Sequence, residues 1–189
     1  MRRVYLIRHG LTEGNRLRRY IGRTDEPLCA AGRAALSAAP LKAIETVYVS
    51  PLLRARETAA ILFPHARQIV VDGLREMDFG AFENRSADDM KNDAAYRAWV
   101  DGLCEGDCPG GENRRGFVAR TVRAFENICA AGGDAPLVIV AHGGTVMALM
   151  SELGEPKKDY WAWHVGAGGC LRCALDGGRL LYEGDGFDA

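Results

Sequence analysis

Two histidines directly follow apolar runs and could act together at one site. Arg8-His9-Gly10 follows the run Val4–Ile7, and His142-Gly143-Gly144 follows Leu137–Ala141. Because ligands of α/β proteins bind at the carboxyl ends of parallel strands, the two imidazoles could come within reach of each other. The glycines let a ligand approach the backbone closely, and Gly143-Gly144 before a helix would offer N–H groups to an anion. The pattern indicates an anion site with two histidines, whereas a single histidine after a strand would be an ordinary structural residue.

A third segment of interest, residues 50–59, also follows a predicted strand. It places Arg54 in the first turn of a helix, where a cation interacts unfavourably with the helix dipole. A residue that departs from a local rule is a candidate for function. The alternative is a solvent-exposed arginine, and Arg56 is equally polar, so spacing alone does not rank the two.

The elements that must position these residues alternate along the chain. The apolar runs predict strands at Val4–Ile7, Thr46–Ser50, Ile69–Val71, Leu137–Ala141, Cys170–Leu175 and Arg179–Glu183, of which the last two form a hairpin. Helical patterns lie between them at Ala30–Ala39, Arg54–Phe63, Ala87–Val100, Gly116–Ala130 (ending at Gly132-Gly133) and Thr145–Leu153. This order predicts an α/β three-layer sandwich with a mostly parallel central sheet and helices on both faces. We expect one domain over residues 1–189, with 79–111 inserted as a small helical cap.

Composition and charge argue against several classes of partner. Apolar residues make up 48% of the 189 residues and charged residues 26%, as in an average globular domain. The 24 Lys and Arg nearly balance the 25 Asp and Glu, so no overall positive field attracts nucleic acid or a membrane surface. No apolar run is long enough for a signal peptide or a membrane span. We therefore expect a cytoplasmic protein with no nucleic-acid or membrane partner.

Six cysteines raise the question of a metal. In the absence of a secretory signal we expect Cys29, Cys104, Cys108, Cys129, Cys170 and Cys173 to be reduced thiols. Cys170 and Cys173 stand on a predicted strand at an odd offset, so their side chains point to opposite faces and suit joint ligation poorly. Cys104 and Cys108 lie in a Gly/Asp/Pro-rich loop and leave a structural metal open as an alternative. We expect no metal and no cofactor.

Several motifs, in order along the chain, resemble the histidine phosphatase superfamily, also called phosphoglycerate-mutase-like. The segment 8–15 (R-H-G-L-T-E-G-N) is similar to its signature. The other matching segments are 22–28 followed by Gly32, 50–59, 74–83, 109–112 and 140–144. Together they span most of the chain, and the combination is far more specific than any single motif. Asn84 departs from the Glu-Gly pair usual in the family at 83–84, so the backbone could turn differently there.

The resemblance implies attack by a histidine on a phosphomonoester without a metal. His9 is then the nucleophile, with its tautomer fixed by a hydrogen bond to the other ring nitrogen. Arg8 and Arg54 are the clamps on the phosphate oxygens, because guanidinium groups match phosphate geometry and stay charged. His142, expected to be protonated, adds a donor, and Asn15 supplies a neutral one.

The same resemblance makes Glu76 the general acid and later the base that activates water. That role needs a carboxyl whose pKa is raised by a partly dry pocket. The alternative is an exposed loop carboxylate. Asp78 and Glu83 stand near enough in sequence to be rival acids.

Substrate contacts are less sharply defined by the sequence. Gly22 and Gly143 are expected beside the bound group, and Arg23, together with Arg19, is a hypothetical contact to a second anionic group of the substrate. Arg16, Arg18, Arg19 and Arg23 crowd one short stretch, which is either a solvated face or part of a cationic pocket. We expect selectivity to depend on 16–23 and on the cap at 79–111. His65 and His164 match no motif, and His164 is expected to pack in an aromatic patch at 160–163.

Three functions compete at this point. The favoured one is a phosphatase acting on a small phosphorylated metabolite, with α-ribazole 5′-phosphate, sugar phosphates, phosphoglycerate and phosphoprotein as candidates that the family suggests. The second is a cofactor-dependent phosphoglycerate mutase, for which the chain is short and for which residues 77–84 (M-D-F-G-A-F-E-N) are a poorer match. The third is a catalytically silent phospholigand-binding protein, which predicts loss of His9, Glu76 or an arginine clamp. The sequence does not choose between a monomer and a homodimer.

Overall fold

A seven-stranded sheet runs through the protein, whose computed structural model describes residues 1–41, 44–131 and 133–187. The strands are β1 (Arg2–Arg8), β2 (Thr46–Val49), β3 (Arg67–Val70), β4 (Leu137–Ala141), β5 (Gly154–Glu155), β6 (Cys170–Asp176) and β7 (Arg179–Asp185). Across the described residues their order is β3-β2-β4-β1-β6-β7-β5. Strands β3, β2, β4 and β1 are parallel to one another. Strand β6 pairs antiparallel with both β1 and β7, and β5 pairs parallel with β7. In the pairing of β1 with β4, Arg8 stands opposite Ala141, so the two strands end side by side.

Helices cover both faces of this sheet. They are α1 (Glu13–Arg16), α2 (Ala30–Ala34), α3 (Leu53–Leu62), α4 (Ala94–Asp101), α5 (Arg114–Ala130) and α6 (Gly143–Leu153), with short 3-10 turns at Asp72–Leu74, Gly80–Phe82 and Tyr160–Trp163. Alternate residues of β1 point to opposite faces. Val4 and Leu6 pack with Phe125 of α5 and Leu149 of α6. The other face, at Tyr5 and Ile7, packs against α3, which confirms the predicted α/β sandwich.

The segment 79–111 contributes a third apolar cluster. Phe82, Tyr96 and Trp99 pack with Phe117 of α5, and their rings lie 5.4 to 6.1 Å apart. The helix predicted over 87–100 is wrong in its first half, because α4 begins only at Ala94. The Asp93 carboxylate accepts hydrogen bonds from the N–H groups of Ala95 and Tyr96 and so fixes the start of the helix there.

Other predicted bounds also shift. The helix predicted over 30–39 ends at Ala34, and the strand predicted at 69–71 is observed at 67–70. The helix predicted over 116–130 begins at Arg114 and ends with Ala131 as its C-cap, and Gly132 of the predicted cap lies outside the described residues. Helix α1, strand β5 and the 3-10 turns were not predicted, since segments of two to four residues show no periodicity.

Several of the cysteines lie in the apolar clusters of the protein. Cys170 packs with the cluster on the α3 face and Cys173 with the cluster on the α5 and α6 face, so their side chains point to opposite faces as predicted. Cys104 and Cys108 both lie in the apolar cluster of the 79–111 segment. In the described part of the chain there is no group of three or more His, Cys, Asp or Glu side chains that could hold a metal ion.

None of the described helices has the length and apolar character needed to cross a membrane.

Candidate active site

His9 occupies the turn that directly follows β1. Its backbone N–H donates to the Ala141 carbonyl at 2.9 Å, which ties the turn to the end of β4. Its Nδ1 lies 2.6 Å from the Gly10 carbonyl oxygen. Because a carbonyl oxygen can only accept, Nδ1 holds the proton and Nε2 keeps its lone pair. The residue is 4% exposed, and burial followed by the charge of Arg54 lowers the pKa of His9 to about 3. His9 is therefore a neutral imidazole with Nε2 available as a nucleophile.

His142 follows β4 and confirms that the two strand ends bring the imidazoles together. The ring centroids of His9 and His142 are 5.2 Å apart. The Nε2 atom of His142 lies 2.7 Å from the Ser50 hydroxyl oxygen. Burial, followed by the charge of Arg54, lowers the pKa of His142 well below its ordinary value. These effects favour the neutral form of His142, and the expected protonation in the presence of a phosphate group stays a prediction.

Arg54 lies in the first turn of α3, as predicted, but it is completely buried rather than exposed. Its Nη1 donates to the Thr24 carbonyl at 2.7 Å, and its Nη2 donates to the Gly22 carbonyl at 2.9 Å. A Cβ on Gly22 would lie 1.9 Å from the Met77 carbonyl oxygen, so only glycine fits where these two loops meet. Gly22 thus contributes through its backbone, by holding Arg54.

Arg8 is the last residue of β1, and its side chain is held by the segment at 164–165. Its Nη1 donates to the Val165 carbonyl at 2.7 Å and contacts Nε2 of His164 at 3.3 Å. The prediction that His164 packs in an aromatic patch is wrong, because His164 is exposed beside Arg8. Within the residues that the structure describes, the buried Nε atoms of Arg8 and Arg54 have no hydrogen-bond partner. Each guanidinium thus retains a buried donor that an anion could satisfy.

Glu76 is the carboxylate that the fold brings to these arginines. It accepts hydrogen bonds from the backbone N–H of Met77 at 2.9 Å and of Gly144, in the first turn of α6, at 3.0 Å. A Cβ on Gly144 would lie 2.2 Å from Oε1 of Glu76, so the glycine makes room for the carboxylate. Although part of the residue is exposed, burial of the carboxyl group raises the pKa of Glu76, against the opposing effect of those two hydrogen bonds and of Arg54 and Arg8. Glu76 therefore has the environment that a general acid requires.

The rival carboxylates have other contacts. Glu83 accepts hydrogen bonds from the backbone N–H groups of Gly22, Arg23, Thr24 and Phe79 and from the Thr24 hydroxyl. It therefore ties the loop that contacts Arg54 to the start of the 79–111 segment. Asp78 accepts from the Gly80 N–H at 2.8 Å and lies 3.5 Å from Arg23.

Asn84, at the position where the sequence departs from the family pattern, adopts φ 59°. Asparagine enters this left-handed region more readily than other non-glycine residues. The backbone at 84 thus takes a conformation that glycine would also allow.

The remaining predicted residues lie at different distances from the centre of the site. Gly143 begins α6 beside Arg8, and a Cβ there would lie 3.4 Å from Nε of Arg8. Asn15 closes a capping box, in which its side chain accepts from the Thr12 N–H at 3.3 Å. The Arg23 side chain is 62% exposed and paired with Asp78, and Arg19 donates to Asn84 at 3.2 Å. The structure thus brings Gly143 to the site, whereas Arg23 pairs with Asp78 and Arg19 with Asn84.

A cavity of about 250 Å³ opens beside Arg8 and Glu76. Five aromatic residues line much of this cavity, and we call them the aromatic wall: Tyr20, Phe79, Trp99, Tyr160 and Trp161. The other lining residues are Met77, Met147, Cys104, Arg114, His164, Gly143 and Gly144. His9, which is 4% exposed, lies outside this lining. A larger open groove, about 960 Å³, shares Arg114 and Tyr160 with the cavity but is lined by neither Arg8 nor Glu76, whereas both line the smaller cavity.

Sequence reasoning missed Arg114, Trp161 and His164. Arg114 follows the conspicuous Gly110-Gly111 motif, and its guanidinium lies over the Tyr160 ring at 5.0 Å. In the sequence, Trp161 and His164 belong to the run 160–164 (Y-W-A-W-H), whose composition alone suggests packing. Only the fold brings 160–164 to the ends of β1 and β4.

Comparison with known proteins agrees with this geometry. The sequence profile of the histidine phosphatase superfamily (branch 1) matches residues 4–183. A Hydrogenobacter thermophilus protein named "Putative phosphoserine phosphatase 2" is 31% identical, over 96% of this chain and 95% of its own. A Serratia proteamaculans protein named "Probable phosphoglycerate mutase GpmB" is 35% identical, over 82% and 77%. The crystal structure of the α-ribazole phosphatase from Shigella flexneri superposes with a TM-score of 0.83 at 25% identity, covering 96% of this chain and 94% of that one. The chain belongs to the histidine phosphatase superfamily, as the motif resemblance predicted.

Proposed function

We propose that the protein is a metal-independent phosphomonoester hydrolase that forms a phosphohistidine at His9 and acts on a small phosphorylated metabolite. The observation that supports this most directly is the pair of buried Nε donors on Arg8 and Arg54, which have no partner among the described residues and belong to the same site as the neutral His9. Two unpaired guanidinium donors and a nucleophile are what a phosphoryl dianion requires. We call Arg8, His9, Arg54, Glu76 and His142 the phosphoryl site.

In the first step Nε2 of His9 attacks phosphorus and the bond from phosphorus to the ester oxygen breaks. The proton of Glu76 passes to that oxygen, so the product leaves as a neutral alcohol. Arg8 and Arg54 bind the non-bridging oxygens, and their fixed positions stabilise the charge that develops there. The Nδ1–H of His9 stays on the Gly10 carbonyl and supports the positive charge that the ring acquires.

In the second step water attacks the phosphohistidine. The Glu76 carboxylate takes the proton of this water, inorganic phosphate leaves, and the neutral imidazole is restored. A carboxyl group with a raised pKa can give a proton in the first step and take one in the second near neutral pH. His142 can add a hydrogen bond to the phosphoryl oxygens once an anion is bound, because a bound dianion favours its protonated form.

The test is an assay of wild type and His9→Ala with p-nitrophenyl phosphate in excess chelator, from acid to neutral pH. We expect wild-type activity that survives the chelator and a loss on the order of 10⁴-fold or more in His9→Ala. His65→Ala, at an exposed histidine outside the site, is the control and should keep full activity. Chelator-sensitive activity, or an unchanged rate in His9→Ala, would contradict the mechanism.

The substrate class has two main candidates, α-ribazole 5′-phosphate and sugar phosphates. The first is favoured by the likeness to the α-ribazole phosphatase structure. Turnover of a panel of phosphomonoesters by the wild type, measured as phosphate release, would rank them.

A phosphoglycerate mutase is the alternative, since a relative 35% identical has that name. Incubation with labelled phosphoglycerate separates the two functions, because a mutase returns the label to the sugar acid whereas a hydrolase releases it as phosphate. A silent phospholigand-binding protein is the remaining alternative. It predicts that no label reaches the protein although His9, Glu76 and both arginine clamps are present.

The other features of the protein that we propose follow from the sequence. We propose a single domain with a cap at 79–111, which contributes part of the cavity wall. We further propose a cytoplasmic protein, monomeric or homodimeric, without nucleic-acid or membrane partners.

A further inference from the structure

The cavity wall combines two kinds of surface. Arg8 and Glu76 belong to the phosphoryl site, and the aromatic wall supplies much of the remaining surface. Tyr20 lies edge-on to Phe79 at 5.2 Å and to Trp99 at 5.6 Å, so these rings hold one another in place. The part of a substrate beyond its phosphoryl group therefore meets an apolar, rigid surface.

The hydroxyl groups of the aromatic wall are already bonded to protein, whereas Nε1 of Trp99 is a buried donor without a hydrogen-bond partner among the described residues. The Tyr20 hydroxyl bonds the Tyr96 hydroxyl at 2.9 Å, and the Tyr160 hydroxyl donates to the Gly144 carbonyl at 3.5 Å. Arg114 is paired with Glu105 and donates to the Leu103 carbonyl at 3.2 Å. The several hydroxyls of a polyol, or a second carboxylate, would lose hydrogen bonds to water on entering this cavity without gaining equivalent ones.

Trp161 differs from the other members of the aromatic wall. It is 53% exposed, although it lines the cavity, and its ring lies at 86° to Tyr160 with centroids 5.1 Å apart. A tryptophan so exposed contributes little to the core, and a ring held by a neighbouring ring offers a surface on which a planar group can stack.

We propose that Trp161 determines specificity by stacking on an aromatic ring in the alcohol part of the substrate. The proposal rests on the proposed function for the position of the phosphoryl group. It deepens that function because it names an aromatic ring as the part of the substrate that is recognised, and a residue outside the family motifs that selects it. Stacking of a nucleobase on an aromatic side chain changes binding by about 5- to 150-fold.

The experiment measures binding of two non-hydrolysable phosphonates by calorimetry. One is 2-phenylethylphosphonate and the other is n-butylphosphonate, which has the same phosphonate group but no ring. We expect wild type to bind the phenyl compound about tenfold more tightly, and Trp161→Ala to reduce this preference below about threefold while leaving the affinity for the butyl compound within about twofold. Trp161→Phe should keep most of the preference. Val70→Ala, at a residue 51% exposed on the edge strand β3, is the matched surface control and should behave as wild type.

Equal affinity for the two phosphonates, no measurable binding of the phenyl compound, or an unchanged preference in Trp161→Ala would overturn the proposal. Phosphate release from 2-phenylethyl phosphate and n-butyl phosphate is measured in parallel. If neither ester is hydrolysed, the proposed hydrolase function fails, whereas the phosphonate affinities still decide the role of Trp161. If Trp161→Ala does not fold, the comparison of wild type with Trp161→Phe and a Trp161→Leu variant gives the same decision, since leucine removes the ring and keeps the bulk.

Discussion

The phosphoryl site and the aromatic wall are built in different ways. In the phosphoryl site, backbone groups fix His9, Arg54 and Glu76: His9 bonds the Gly10 carbonyl, Arg54 donates to the Gly22 carbonyl, and Glu76 accepts from the Gly144 N–H. In the aromatic wall, side chains fix one another through ring contacts, which join Tyr20 to the distant Phe79 and Trp99 and join Tyr160 to its neighbour Trp161.

This difference has a functional consequence. Atoms that must meet phosphorus within a fraction of an ångström need a rigid support, and short glycine-containing turns provide it. A surface that selects an alcohol group only has to match its shape and polarity, so side-chain packing is sufficient. Substitutions in the wall should therefore change which ester is bound, whereas substitutions in the phosphoryl site should change the rate for every ester.

After His9→Ala, the largest effect is expected for Glu76→Gln, which keeps the shape of the side chain and removes its proton transfer. We expect kcat to fall by about 10²- to 10⁴-fold, and the decrease to be smaller for p-nitrophenyl phosphate than for an alkyl phosphate, because nitrophenolate needs little help to leave. The measurement is steady-state phosphate release with both substrates.

Glu83→Gln is the matched control for Glu76→Gln. Glu83 accepts from the backbone of 22–24 and Phe79, so the exchange should lower the free energy of unfolding by about 1 to 3 kcal/mol while kcat changes far less. If Glu83→Gln lost as much kcat as Glu76→Gln and kept its stability, Glu83 would be the acid and the assignment would be wrong.

An effect of intermediate size is expected for the pH dependence of the free energy of unfolding, to which His9 contributes. The unfolded-state pKa of a histidine is about 6.5, and burial together with Arg54 lowers that of folded His9 to about 3. The unfolded chain therefore binds more protons between these two values, and the free energy of unfolding should decrease as pH falls through this window. The contribution of His9 is at most about 1.4 kcal/mol per pH unit.

Denaturant unfolding of wild type and His9→Asn from pH 7 to pH 4 measures this contribution. The stability of wild type relative to the variant should decrease toward acid pH. His65→Asn, at an exposed histidine, should follow wild type. A difference between wild type and His9→Asn that stays constant with pH would show that His9 is not held neutral in the folded protein.

The smallest effect is expected for Arg23→Ala. The sequence makes Arg23 a contact to a second anionic group, but its side chain is 62% exposed and paired with Asp78. We expect KM for phosphomonoesters to change by less than about threefold, as for removal of a surface ion pair. A large increase in KM for substrates with a second anionic group, and for those alone, would instead make Arg23 a specificity residue alongside the aromatic wall.

The sequence predicted the phosphoryl site better than its surroundings for a physical reason. His9 and His142 each stand in a short segment in which a buried strand, the functional residue and a glycine follow one another, so local sequence specifies the local structure. Arg54 was noted for its unfavourable place in a first turn, and only the family resemblance ranked it above Arg56. Its burial against the Gly22 and Thr24 carbonyls explains why the chain tolerates it there. The helix predicted over 87–100 shows where prediction from local pattern fails. The pattern continues before Ala94, but the Asp93 side chain caps the helix and fixes its start there.

By itself, then, the sequence determined the α/β class, the residues at the strand ends and the family, since strand-end turns and glycine contacts are encoded within a few neighbouring residues. Only the tertiary structure decided that the charge of Glu76 acts on both Arg8 and Arg54, because Glu76, Asp78 and Glu83 lie in one segment and differ in their distant partners. It also buried His142, which lowers the pKa of that imidazole, and brought Trp161 and His164 to the cavity. Burial and the assembly of 20, 79, 99 and 160–164 into one wall depend on contacts between segments, and no local pattern records them.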